Sequence, residues 1–225
     1  VTRLGGLRWP EVGKPVLAVP LGATEQHGPH LPLHTDTTIA TELCDRLAAS
    51  IGDTVDIVVA PALPYGSSGE HAGFPGTLSI GRTALELLLV ELVRSADDFA
   101  GVVIVNGHGG NAAPVRAAVR LLRDEGRRVL AWSPDGPPGD SHAGRTETSV
   151  LLRLRPQDVA TDKAEAGNTA PLPELFDRLV AGGVAAVSVN GVLGDPAGAD
   201  AAEGEALLTR WAEALATAVR DWLGR

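Results

Sequence analysis

The chain has no methionine, a single cysteine and few aromatic residues: four Trp, three Phe and one Tyr among 225 residues. One thiol excludes an intramolecular disulfide. Cys44 follows Thr41-Glu-Leu in a helical pattern, which predicts a small buried apolar residue and not a nucleophile. With no Met anywhere, Val1 is expected to stand for an initiator codon. Positive charge is also short, with 19 Lys and Arg against 28 Asp and Glu and a net charge of -9. That balance argues against a nucleic-acid partner, which would need a basic stripe. No apolar run is long enough to span a bilayer, so no membrane partner is expected. The first ten residues hold no apolar core of a secretory signal, and the expected location is cytoplasmic.

What is present alternates. The segments 16–21, 55–60, 101–106 and 128–132 are apolar and β-branched, and each reads as a strand. A fifth short strand is expected over 185–189. Helical spacing of apolar residues falls over about 38–50, 82–98, 112–125, the start of a helix at 147–154, a Pro-bounded stretch after Leu172, and 201–223. Such alternation predicts an α/β fold of three α/β/α layers around a mostly parallel central sheet. There are no internal repeats, and one domain over 1–225 is expected. In such folds the ligand crevice lies beyond the carboxyl ends of the strands.

All six histidines fall in loops, and the loops after the first, third and fourth strands open on one edge of the sheet. The first of these loops, Gly22-Ala-Thr-Glu-Gln-His-Gly-Pro-His-Leu-Pro-Leu-His-Thr, ends at Asp36. Glu25, His27 and Asp36 are oxygen and nitrogen donors of the kind a hard or borderline divalent cation needs. The second motif, Asn106-Gly-His-Gly-Gly-Asn111, offers His108 and Asn111. It also satisfies a dinucleotide pattern, G-x-G-x-x-A over 107–112, but that reading leaves the first loop without a purpose. The third motif, Asp140 to Ser149, offers His142 and Glu147 at the entry to a helix, where an acid also suits the positive helix end. In the long loop 61–81, Tyr65, Glu70 and His71 either line a substrate crevice or hold a surface loop. His30 and His34 have no role separable from sequence.

Taken together and in order, Thr24-Glu-Gln-His-Gly-Pro-His-Leu-Pro-Leu with Asp36, Asn106-Gly-His-Gly-Gly-Asn111, and His142-Ala-Gly with Glu147-Thr-Ser resemble the creatininase (creatinine amidohydrolase) family. Later segments, including Ala166-Gly-Asn and Gly191-Val-Leu-Gly-Asp-Pro196, resemble the branch that releases a C-terminal Val-Tyr dipeptide from a modified precursor peptide. The resemblance implies two divalent metal ions per subunit (Zn, Fe or Mn) and a homo-oligomer. It implies Glu25, Asp36 and His108 on one ion, and His27, Asp36 and a further acid on the other. In creatininase proper that acid lies two residues after the histidine of the second motif, where this chain has Gly110; Glu147 is the replacement candidate. The implied chemistry is hydrolysis of an amide bond by metal-activated water, with His142 protonating the departing nitrogen. Tyr65, Glu70, His71 and Asn111 are candidate substrate contacts. The alternative is an amidohydrolase acting on a small cyclic amide.

Overall fold

A computed structural model describes residues 1–224; Arg225, the last residue of the expected domain, lies outside the described residues. The sheet has four strands, β1 (Val16–Leu21), β2 (Ile57–Val59), β3 (Gly101–Asn106) and β4 (Val129–Trp132), in the order β2-β1-β3-β4. Every pairing is parallel, with Val16 opposite both Ile57 and Gly101, and Val102 opposite Val129. All six residues of β1 and all six of β3 are buried. That is why their sequences are continuous in apolar residues and do not alternate.

Successive side chains of these strands serve opposite layers. Val16, Ala18, Val103 and Val105 pack with α1 (Thr35–Ile51), α4 (Arg145–Leu154) and α6 (Ala201–Leu223). Leu17, Val19, Val102 and Ile104 pack with α2 (Gly81–Arg94) and α3 (Ala112–Asp124). A further helix, α5 (Leu172–Gly182), buries Leu175 in a small cluster with Val184 and Leu193. The long α6 is closed at both ends by local chemistry. Asp200 accepts from the N–H groups of Ala202 and Glu203 at its start, and Gly224 ends it in the left-handed conformation.

Several boundaries differ from the sequence reading. The expected strand 185–189 is instead a 3-10 turn, Val184–Ala186. It follows Gly183, whose φ of 67 turns the chain sharply. Val189 is 95% exposed, so the β-branched pattern there has no sheet to join. Helix α1 begins at Thr35, three residues before the expected start, which moves Asp36 from a loop into the first helical turn. Helix α2 ends at Arg94 and not at Asp98. Strand β2 spans only 57–59, because its pairing with β1 stops at Ala18 and Val59. That early stop accommodates Pro20 in the middle of a central strand. The Pro20 carbonyl faces the loop after β2, accepting from Leu63 N–H at 2.9 Å. Its missing donor therefore lies on the side where β2 has ended.

The strand order reverses between β1 and β3: the chain leaves β1 toward β2 in one direction and reaches β3 on the other side. A crevice forms where two such loops diverge.

Candidate metal centre

The switch point holds the polar residues. Glu25, His27, Asp36, His71, His108 and His142 are all buried, most of them to within a few percent of complete enclosure. They come from four separate segments: the β1–α1 loop with the first turn of α1, the β2–α2 loop, the β3–α3 loop, and the approach to α4. A crevice of about 280 Å³ opens onto Asp36, His108, His142 and Glu147, walled in part by Pro134, Leu172 and Trp211. A larger cavity lies at the opposite edge of the sheet, against the start of β3, and touches none of these groups.

The donors fall into overlapping groups whose ligand atoms lie within 4.8 Å of one another. Glu25, Asp36 and His108 form one; His27, Asp36 and Glu147 form a second; Glu25, His27 and His142 form a third. Asp36 stands between the first two. Its Oδ1 lies 3.0 Å from His27 Nε2 and its Oδ2 lies 3.4 Å from His108 Nδ1. His108 Nδ1 is also 3.1 Å from Glu25 Oε1. On the far side of its ring, His27 Nδ1–H donates to the Glu25 carbonyl at 3.1 Å, which leaves Nε2 aimed inward.

The carboxylates and imidazoles of this centre shift one another strongly. Burial raises the Glu25 carboxyl, but the neighbouring His108, His71 and His27 outweigh it and hold the group below the ordinary carboxylate range. Burial lowers His27, yet Asp36, Glu147 and Glu25 push it up to about 10. His108 is likewise raised well above the usual imidazole value by Glu25, Glu70 and Asp36 against the cost of burial. Burial pushes Glu147 up to about 7, helped by Asp36 and opposed by His27. His142 is driven far down, first by burial and then by the positive neighbours His27 and His71.

Both oxygens of Glu25 and Oδ2 of Asp36 are buried with no hydrogen-bond partner among the described residues. Buried carboxylate oxygens without donors cost several kcal/mol. Divalent cations held by mixed nitrogen and oxygen donors would offset that cost, and the donor set fits them.

Glu147 sits in the first turn of α4, with 19% of its side chain exposed, and lies 3.9 Å from His27 Nε2. Its Oε2 accepts from Ala143 N–H at 2.6 Å. Ala143 holds that N–H in place at a φ of 53, a conformation that costs a non-glycine residue about 1 kcal/mol or more. Asp140 supports the same turn by accepting from Thr146 N–H at 2.8 Å.

The loop that sequence left open folds into the site. His71 Nε2 is 3.2 Å from Glu25 Oε1, and Glu70 Oε1 is 3.4 Å from His108 Nε2. Tyr65, on the same loop, is 48% exposed. Asn111 is fully buried and spends its amide on protein partners: it donates to Gly22 O and Asn106 Oδ1 and accepts from Ser67 N–H. It thereby ties three loops together. His30 is buried outside the cluster against Thr148 Oγ1 at 2.9 Å, and His34 is exposed at the start of α1.

Sequence reasoning passed over Gln26. Its side-chain NH2 lies 2.9 Å from His71 Nδ1, 3.0 Å from Gly191 O and 3.1 Å from His142 Nε2, and its backbone carbonyl lies 2.8 Å from His142 Nε2. An amide has two N–H groups. With those two groups serving His71 and Gly191, His142 Nε2–H donates to the Gln26 backbone carbonyl, which leaves Nδ1 without a proton. The available signal was position alone: an amide lodged between two donor residues of a buried loop.

A family model described as creatinine amidohydrolase matches residues 6–219. A mycofactocin precursor peptide peptidase from Mycolicibacterium smegmatis is 54% identical over 212 residues, covering 92% of this chain and 85% of its own length. The solved structure described as "Creatininase Mn" aligns at a TM-score of 0.82 and 28% identity, covering 98% of both chains. A creatininase variant of "Zn-Zn type" aligns at 0.80 and 28%, covering 97% of this chain and 96% of its own. The matched span takes in the whole sheet and every donor segment around its switch point, and the chain belongs to the creatininase (creatinine amidohydrolase) family.

Proposed function

We propose that this chain is a divalent-metal-dependent peptidase that hydrolyses an amide bond in the modified mycofactocin precursor peptide and releases its C-terminal Val-Tyr-derived dipeptide. The observation that carries the reading is the pair of donor groups sharing Asp36, with buried carboxylate oxygens that lack partners, at the mouth of a crevice. The relative at 54% identity supplies the substrate. The site chemistry alone is common to amide hydrolysis generally.

Glu25, Asp36 and His108 would hold one ion, and His27, Asp36 and Glu147 the other; Zn, Mn and Fe all suit such donors. The ions would supply a water activated near neutral pH and polarisation of the scissile carbonyl. The chain's own residues do the rest. His27 and His108 present one ring nitrogen inward because the other is engaged by a backbone carbonyl. His142, anchored through Nε2 to the Gln26 carbonyl, keeps Nδ1 on the Glu25 side of the ring, 3.9 Å from Oε1. That nitrogen would face the departing nitrogen and carry a proton to it. No serine or cysteine nucleophile is needed, and Cys44 is buried in the layer of α1, α4 and α6.

The reading includes a homo-oligomer in the cytoplasm. Leu172, Phe176 and Val180 form an exposed stripe on α5 beside the crevice, which supports a subunit contact near the rim.

The test is mass spectrometry of the modified precursor peptide incubated with the protein, with and without a chelator. Release of the dipeptide-derived fragment that stops with chelator is the expected result. A metal-loaded protein that leaves the peptide intact but opens creatinine or a lactam would replace the peptidase reading with the small-amide one.

A further inference from the structure

Gly110 stands where creatininase proper carries an acid, and the space beside it is already filled. A Cβ at Gly110 would come within 2.0 Å of Glu70 Oε1, 2.4 Å of His108 Nε2 and 2.4 Å of the Ser67 carbonyl oxygen. Two of these three atoms belong to the β2–α2 loop, a segment far away in sequence. The Glu70 carboxylate thus occupies the space that a side chain at 110 would begin in, and it can do so only because residue 110 has none.

What Glu70 meets there is one edge of the His108 ring. His108 Nε2 lies 3.1 Å from the Ser67 carbonyl, to which it donates, and 3.4 Å from Glu70 Oε1. The opposite edge, Nδ1, faces Glu25 and Asp36. An imidazole that donates through one nitrogen presents the other as a bare lone pair, and a carboxylate behind the donor strengthens that lone pair as a ligand. Glu70 is well placed to do this. It lies in the 3-10 turn Gly69–His71, closed by His71 N–H donating to the Ser68 carbonyl at 3.0 Å. Its own carbonyl packs against Gly183, where a Cβ would come within 2.5 Å of it. The backbone is thus wedged between the end of α5 and the site, while the side chain remains 30% exposed.

We infer that Glu70 is a positioning residue for His108: with the Ser67 carbonyl it fixes the ring so that Nε2 carries the proton and Nδ1 is left for a cation at Glu25 and Asp36. The inference rests on the metal-dependent reading above. Glu70 acts through the histidine and bears on one of the two donor groups, because His108 belongs to only one of the groups in which its neighbours could share an ion.

The experiment uses the full chain, stripped with a chelator and titrated with Co²⁺, with bound metal counted and the visible absorption bands recorded. The wild-type chain is expected to fill both sites. Glu70→Ala is expected to weaken one class of site by about 10- to 100-fold, to change the spectrum of that site and to leave the other unchanged. Glu70→Gln keeps an acceptor oxygen without the charge and is expected to fall between the two. A purely structural role would lower the melting temperature and affect both sites alike. Wild-type Co²⁺ affinity in Glu70→Ala, or in Glu70→Gln should the alanine variant fail to fold, overturns the inference and leaves the peptidase reading intact. A wild-type chain that binds no Co²⁺ overturns the metal-dependent reading, and this inference with it.

Discussion

Gly204→Ala sets two physical effects against each other at the end of the first turn of α6. Helix propensity favours the substitution by about 1 kcal/mol, since glycine is the poorest helix former after proline. Packing opposes it. A Cβ at 204 would lie 2.0 Å from the Ser149 carbonyl oxygen, 2.5 Å from its carbonyl carbon and 2.9 Å from Val150 N, all backbone atoms of α4. An ordinary carbon–oxygen contact is about 3.4 Å, so the two helices must part by roughly 1.4 Å along that line. Overpacking of this kind costs about 1–3 kcal/mol, and the upper end applies because rigid backbone cannot turn aside. The net expectation is a loss of about 2 kcal/mol, which for a chain of this size lowers Tm by about 4–8 °C. Thermal unfolding of the metal-free protein measures it directly. Ala206→Gly, on the exposed side of the same helix, is the control: it should lose about 1 kcal/mol by propensity alone. Separating the helices also moves the first turn of α4, which carries Glu147, so metal uptake should weaken in Gly204→Ala and not in Ala206→Gly. A Gly204→Ala protein as stable as wild type or more so would refute the packing argument.

Glu147→Gln should cost one of the bound metal ions while the group at Glu25, Asp36 and His108 keeps its own; elemental analysis that finds both ions retained would remove Glu147 from the ligand set. In the metal-free protein His27 is raised to about 10, so its contribution to stability is full below about pH 6.5 and is lost as pH rises toward 10. Bound cations take the place of that proton, so melting temperatures of chelated and metal-loaded protein should diverge across this alkaline window; parallel curves would count against it. Cys44 is buried, and burial followed by the nearby Asp45 pushes its thiol above the ordinary range. A thiol reagent should therefore label it only at the rate of unfolding, and rapid labelling of the native protein would show the interior to be open.

Much of the fold is legible in the chain because β1 and β3 are buried on both faces, which leaves unbroken runs such as Gly101-Val-Val-Ile-Val. The reading of 185–189 failed for a local reason. Valines alternate there, but a strand exists only where a neighbour offers a ladder, and Gly183 has already turned the segment against α5. Asp36 was misplaced by a boundary, since nothing in Thr35-Asp-Thr-Thr marks which residue begins the helix. The donors in the β1–α1 and β3–α3 loops could be named because their residue types announce their chemistry. Glu70 and His71 could not be assigned, since their role depends on a loop folding back across β1, a long-range contact that leaves no periodic trace. Gln26 is neutral and sits among charged neighbours, so composition draws attention away from it.

The donors that surround Asp36 come from segments more than a hundred residues apart, and this gives the cations a mechanical meaning. The ions would act as removable staples, one fastening the loop after β3 to the loop after β1 and the other fastening the first turn of α4 to that same β1 loop. Binding that exists only in the finished fold adds its free energy to the fold. A loaded chain should therefore resist proteases that cut a stripped one, and the supply of metal in its surroundings would set the lifetime of the protein as well as its activity.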